Sequence, residues 1–444
     1  MQKSTKFLQY CPNKPFTDIK LPFVGVIDKN NAYLCTKKTN KKTMKQLQAS
    51  IKELAQQYHT EVVAIRRHIH ANPELSFEEH QTSQYVQQKL QEYGIPFQNG
   101  IADTGVVALI EGKNPHRRVV ALRADMDALP ILEENNVPYK SQKAGVMHAC
   151  GHDAHTANLL IAGRILHQLR HHIEGTIKLI FQPAEEKSPG GASIMIQEGV
   201  LENPRPDSII GLHVYPLLPA GEVGFRSGMM MASSDEVYLS IKGKGGHGAV
   251  PQHSIDPVAI ACQIVTALQQ IVSRQNDPTV PCVLTFGKIY SVGGSYNVIP
   301  EEVKLEGTLR TMNETWRAEA KNRIRNMVEG IATAMGAQAS VNFVQGYPFL
   351  VNDDALTQRC QQAAQQYLGK DNVTDLPMRM TAEDFAYYSQ VAKGCFFRIG
   401  TANFDRGITS NIHTPTFDID EQALLHSTGL MAWLAICELE AVAE

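Results

Sequence analysis

Residues 116–127 read HRRVVALRADMD, a basic turn, a short apolar run and then two aspartates, Asp125 and Asp127. An apolar run this short, opening on two β-branched residues, has the signature of a strand buried on both faces. The segments that follow decide how it is used. TANLLIAGRIL (156–166) carries apolar residues at helical spacing, GTIKLIFQPAEE (175–186) is a second strand and loop, GASIMIQEGVL (191–201) a helix, and DSIIGLHVYP (207–216) a third strand. Strand, helix and strand joined by short connections predict a parallel α/β sheet.

Working outward, a helical pattern runs upstream from about Lys45 to Ile69, directly after Met44. Residues 1–43 show no clear period and end in the basic, turn-prone run KKTNKKT, so they are expected to form a dispensable extension. Downstream of about Ala232 the order changes. It becomes strand (EVYLSIKGKG), helix (PVAIACQIVTALQQIV), two strands (CVLTFGKIYS, EVKLEGTLRT), helix (WRAEAKNRIRNMVEGIATAMG) and strand (ASVNFVQGY). This is βαββαβ, the split arrangement of a small ferredoxin-like sandwich. Beyond Pro348 the helix–strand alternation resumes, ending in a helix from about Glu421. The expected organisation is an extension (1–43), an α/β catalytic domain in two parts (44–230 and 348–444) and an inserted domain (231–347). The length of 444 residues also exceeds what one core usually supports.

With 43% hydrophobic and 20% charged residues the composition is that of an ordinary folded protein. The net charge of −3 and the even spread of Lys and Arg give no reason to expect a nucleic-acid or membrane-surface binder. No apolar stretch reaches the roughly 18 residues of a membrane span. The amino terminus has no apolar core or cleavage site of a secretory signal. Eight scattered cysteines without a Cys-x-x-Cys pair argue against a disulfide framework and fit a reducing, cytoplasmic compartment.

The polar residues that carry chemistry fall after the predicted strands, at the edge where open parallel sheets bind ligands. Asp125 and Asp127 follow the first strand, and MHACGHDAHT (147–156) feeds a helix. Glu185 and Glu186 end the second strand's loop, His213 ends IIGLH, and His413 opens HTPTFDIDE. Each alone has an ordinary reading: a hydrogen-bonded histidine, a solvated acid pair, a helix cap, a buried thiol. Gathered at one edge without a cation they would be electrostatically expensive. Adjacent carboxylates suit metal hydrolysis, one ligating while the other takes a proton. A thiolate ligand favours zinc, manganese, nickel or cobalt over magnesium.

In this order RADMDALP, MHACGHDAHT, FQPAEE, GLHVYP, GKGGHGAVP, NVIP, EDFA and HTPTFDIDE resemble the metal-dependent amidohydrolases of the aminoacylase and carboxypeptidase group, over about residues 50–440. That group includes hippurate, auxin-conjugate and N-acyl-amino-acid hydrolases. The resemblance implies a zinc-peptidase-like α/β domain with an inserted lid and dimerisation domain. It implies two divalent metals, zinc or manganese first and nickel or cobalt next, held by Cys150, His152, Glu186, His213 and His413. Glu185 would be the general base, and Asp125 would support the ligands without touching metal. His247 would stabilise the oxyanion, and Asn297 and Arg310 would bind the carboxylate end of a small N-acyl or N-aroyl amino acid. His148, Asp153 and His155 are left as supporting residues. Related peptidases have a ligand histidine at Arg123, and two small residues commonly stand where Thr381 and Ala382 precede EDF. Many relatives dimerise through the inserted domain. Three rival readings are a dipeptidase or carboxypeptidase of the same group, a thiol hydrolase using Cys150 with His152, and a non-catalytic metal-dependent binding protein.

Overall fold

The computed structural model describes residues 29–441, with side chains from Thr43 onward. The chain divides into Met1–Gln46 and Leu47–Glu444; the sheets and the site described below lie in the second unit. Residues 1–28, most of the expected extension, lie outside the described residues. The helix expected from Lys45 instead begins at Lys29 and runs to Gln57, with a second helix over His59–Ala71. The bend falls at Tyr58, whose N–H donates to Leu54 and whose carbonyl accepts from Val62. Tyr58 belongs to both backbone ladders, and no Pro or Gly marks the bend in the sequence.

Eight strands form the large sheet, in the order 97–101, 105–111, 176–182, 119–125, 208–219, 394–402, 223–225, 373–375. Its centre is parallel: Val119–Asp125 pairs with Thr176–Gln182 on one side and Ser208–Pro219 on the other, and the latter with Gly394–Ala402. The flanks are not. Phe97–Ile101 runs antiparallel to Gly105–Glu111, Gly105–Glu111 antiparallel to Thr176–Gln182, and Val223–Phe225 antiparallel to Gly394–Ala402. The expectation of a parallel sheet therefore holds for its buried centre, and the whole sheet is mixed. Every residue of Val119–Asp125, Thr176–Gln182 and Gly394–Ala402 is buried, which accounts for continuous apolar runs in place of alternation. The helix His152–Leu169 packs on this sheet and against the helices His59–Ala71 and Gln422–Leu439. Its first residues are thereby fixed at the carboxyl edge of the central strands.

The inserted segment forms a separate four-stranded antiparallel sheet, ordered 282–292, 302–311, 235–242, 338–345. The helices Pro257–Gln270 and Glu314–Ala334 cover one face, burying Val237, Leu239 and Ile241 against Ile260, Ile264, Ile324 and Val328. Alternating burial along Asp235–Lys242 records that one-sided cover. The fold is thus an α/β domain with an inserted βαββαβ domain. Among the described residues no helix is long and apolar enough to cross a membrane.

Candidate metal centre and substrate cavity

Gly151 starts the site. Its φ of +83° turns the chain between Cys150 and the helix that opens at His152, so thiol and imidazole project to one side. The His152 Nδ1–H donates to Asp127, 2.9 Å from the carbonyl oxygen and 3.1 Å from Oδ1. That fixes the tautomer and leaves the Nε2 lone pair buried without a hydrogen-bond partner, 3.9 Å from Glu186 Oε1. His213 is set in the same way: its Nδ1–H donates to the Val214 carbonyl at 2.8 Å, and Nε2 faces Cys150 Sγ at 3.4 Å. His413 Nε2 lies 3.3 Å from Cys150 Sγ and 3.1 Å from Glu186 Oε1.

Among the described residues there are five sets of potential ligand atoms, those of each set within 4.8 Å of one another. Three are Cys150, His152 and His213; Cys150, Glu186 and His413; and His152, Glu185 and Glu186. The other two are Asp125, His152 and His155, and Glu185, Glu383 and Asp384. Cys150 belongs to two of the five. Imidazole lone pairs aimed at a thiol and at a carboxylate oxygen with no hydrogen-bond donor have no good internal solution, whereas divalent cations satisfy them all. Without cations, burial and the Glu186 and Glu185 carboxylates push the Cys150 thiol well above its ordinary range. The donor set fits a pair of borderline divalent metals.

Behind the ligands stand two aspartates with separate duties. Asp127 accepts from His152 and the Glu185 N–H (3.0 Å) through Oδ1, and from Ser76 Oγ (2.6 Å) and the Glu186 N–H (2.9 Å) through Oδ2. One carboxylate thus sets a ligand imidazole and both residues of the Glu-Glu pair. Asp125 accepts from His155 Nδ1 (2.6 Å) and Arg123 Nη1 (2.6 Å) and lies 3.8 Å from His152 Nε2. His155 Nε2 accepts the Val214 N–H at 2.9 Å, so both its ring nitrogens are occupied and neither points at a cation. Arg123, fully buried, joins Asp125 to Glu383 (3.1 Å) and Asp384 (2.7 Å). Asp153 ties the helix start to Arg66 and His70, each at 2.7 Å. His148 is buried with neither ring nitrogen bonded, and burial pushes it down to about 4.

Two supporting residues escape the sequence reading. Asp127 was noticed only as a neighbour of Asp125, although its four hydrogen bonds make it the more connected of the two. Glu79 lies 105 positions before Ala184 yet accepts its N–H at 2.9 Å, with further bonds from Phe77 N–H and Thr104 Oγ1. Ala184 has φ +52°, so this bond holds the strained turn that delivers Glu185 and Glu186. Burial and the Asp127 charge raise Glu79 to about 7. No motif signals it.

Glu185 is buried at the wall of a cavity of about 780 Å³ that also exposes Cys150, Glu186, His213 and His413. Burial, with Glu383 and Glu186 close by, raises the Glu185 carboxyl well above its usual range. The Tyr347 hydroxyl donates to its backbone carbonyl. Arg310 lines the same cavity from the inserted domain, its Nε 3.1 Å from Thr308 Oγ1. His247 and Asn297 do not line it. They lie together on the inserted domain, where His247 pairs with Val298 and the Gly248 N–H donates to the Asn297 carbonyl at 2.8 Å; His247 is exposed.

Fold and site together define an α/β metallohydrolase with an inserted lid domain. The model of the peptidase family M20/M25/M40 matches residues 121–436, and the chain belongs to that family. Among its relatives, an N-acyl-L-amino acid amidohydrolase of Geobacillus stearothermophilus is 47% identical over 304 residues, covering 68% of this chain and 81% of the relative. The IAA-amino acid hydrolase ILR1-like 4 of Arabidopsis thaliana is 40% identical over 378 residues, 84% of each. Among solved structures, the Bacillus subtilis YXEP protein, described as a dinuclear metal binding peptidase from the M20 family, superposes with a TM-score of 0.75 at 36% identity. The match covers 87% of this chain and all of that one.

Proposed function

We propose that this metallo-amidohydrolase cleaves the amide bond of small N-acyl or N-aroyl amino acids, releasing a carboxylate and a free amino acid. The supporting observation is the convergence of five ligand-type residues beside a cavity that Glu185 lines. Cys150, His152, Glu186, His213 and His413 hold two divalent cations, zinc or manganese. When bound, such cations supply Lewis acidity toward a carbonyl oxygen and acidify water at neutral pH. Glu185 takes the proton as water oxygen bonds to the acyl carbon, and returns it to the amide nitrogen as the C–N bond breaks. Arg310 holds the carboxylate end of the substrate from the cavity wall. His247 and Asn297, remote from their own cavity, serve the site of a second copy in a homodimer built through the inserted domain.

The thiol-hydrolase reading is disfavoured by Cys150 itself, which is 4% exposed and belongs to two of the sets of potential metal ligands. The decisive experiment loads the protein with zinc or manganese and assays N-acetyl and N-benzoyl amino acids beside matched dipeptides. Turnover of the acyl amino acids at least tenfold above the dipeptides, abolished by a chelator and restored by metal, is expected. Faster dipeptide cleavage, or no amide cleavage by loaded enzyme, overturns the reading.

A further inference from the structure

Four buried or largely buried arginines can be compared in this chain. Arg66 pairs with Asp153 and Asp418, Arg123 with Asp125, Glu383 and Asp384, and Arg317 with Asp235 and Glu314. Arg398 is as buried, at 4% exposure, and has no carboxylate within 4.0 Å among the described residues. Its one side-chain hydrogen bond runs from Nη2 to the Met231 sulfur at 3.1 Å, a weak acceptor, and its Nε is buried without any partner. Glu383 acts on it only through space, being bonded to Arg123. Burial therefore lowers Arg398 to about 10, whereas Arg66 and Arg123 are raised.

The Arg398 guanidinium also lies 5.2 Å from the Phe396 ring, a contact that leaves its charge unneutralised, and its position is as telling as the missing carboxylate. Arg398 stands beside His213 in the parallel pairing of their strands, so both side chains leave the sheet on one face. It lines the cavity that holds the ligand cluster, and Arg379 lines the same cavity. Arg379 lies over the Tyr215 ring at 5.1 Å, has no acidic partner among the described residues, and its charge lowers the proton affinity of Arg398 further. Two guanidinium groups facing one cavity, neither of them bonded to a carboxylate, repel each other, and burial adds a desolvation cost at Arg398. An anion received between them removes both penalties, and the planar forks of two arginines match a carboxylate best.

We infer that Arg398 and Arg379 form a carboxylate subsite on the wall beside His213, which takes a carboxylate of the substrate. The inference rests on the amide-hydrolase reading for the identity of the ligand, and on the geometry alone for the existence of the subsite. The carboxylate has two sources, the α-carboxylate of the amino acid, held jointly with Arg310 of the same cavity, or a second one on its side chain, and substrate pairs separate them. Metal-loaded wild type, Arg379→Gln and Arg398→Gln are assayed on an N-acetyl amino acid and its α-carboxamide, and on N-acetylglutamate and N-acetylglutamine.

The acid-bearing member of one pair should lose ~10–100-fold in kcat/KM, mainly through KM, while its neutral counterpart changes by less than about twofold. Collapse of the first ratio assigns the α-carboxylate, and collapse of the second the side-chain one. A merely structural role would slow both members equally, and equal slowing overturns the subsite. Arg379, half-buried, remains informative if Arg398→Gln does not fold. Calorimetric titration of the loaded proteins with glutarate needs no turnover: affinity at least tenfold weaker in the variants supports the subsite even if no acyl amino acid is cleaved. Equal affinity, with unchanged substrate ratios, overturns it while leaving the amide-hydrolase reading intact.

Discussion

Glu185 and Glu186 are neighbours in sequence with different surroundings. Both backbone N–H groups are held by Asp127, but the side chains diverge: Glu186 Oε1 meets His413 and His152, whereas Glu185 faces the cavity and approaches the Asp384 N–H at 3.4 Å. Glu185→Ala should therefore keep both metals and lose at least ~10²–10⁴-fold in kcat, the usual size of a general-base effect. Glu186→Ala should lose metal. Metal analysis of the two purified variants checks this, and the reverse occupancy would exchange the roles. Cys150→Ser should weaken metal binding far more than folding, since a hydroxyl is a poor ligand at neutral pH. Iodoacetamide should inactivate the apoenzyme faster than the metal-loaded form, and equal rates would show that the thiol is not coordinated. These residues were legible because ligand chemistry needs particular side chains. Glu79 was not, because a buried carboxylate that accepts a distant backbone N–H leaves no local pattern.

Elements position the site through their ends. The central strands carry Asp125, Glu185, Glu186 and His213 at or just beyond the carboxyl edge, and the helix His152–Leu169 presents its first residue to the same edge. Gly151 makes that junction possible. A Cβ there would lie 2.6 Å from Val214 Cγ2, at a φ of +83° that side chains rarely adopt. Val214 in turn donates its N–H to His155 and accepts from His213, so any shift is passed to the ligands. Gly151→Ala should cost about 1–3 kcal/mol in unfolding free energy and should weaken metal binding as well. Denaturant melts and metal titration of the variant test this; a stable protein with unchanged metal affinity would show that the turn adapts. The buried strands were readable at this scale from unbroken apolar runs, and the insert from its change of order. Strand direction at the sheet flanks was not, because a short apolar run reads alike in either direction. The bend at Tyr58 was hidden for a similar reason: both of its helices keep their apolar spacing across it.

At the scale of the whole molecule two expected site residues lie outside the lining of the cavity. His247 and Asn297 sit side by side on the inserted domain, away from the cavity that Arg310 of the same domain lines. Their pairing in sequence motifs therefore marks a shared surface position, and sequence alone gave no means of telling which copy of the cavity they serve. Either the inserted domain closes over its own metals, or a second copy delivers its His247. The four-stranded sheet keeps one face open opposite its helices and ends in the edge strand Cys282–Val292, which carries the exposed residues Ile289, Tyr290 and Val292. An apolar edge of this kind is a ready surface for strand pairing with a twin. Co-expression of Glu185→Ala chains with His247→Ala chains separates the two arrangements. In a mixed dimer with shared sites, one site combines an intact Glu185 from one chain with an intact His247 from the other. Each variant alone should be inactive, and the mixture should recover up to about a quarter of wild-type activity, because random pairing makes half the dimers mixed and each mixed dimer holds one intact site of two. No recovery from dimers confirmed as mixed would place the action of His247 within its own chain.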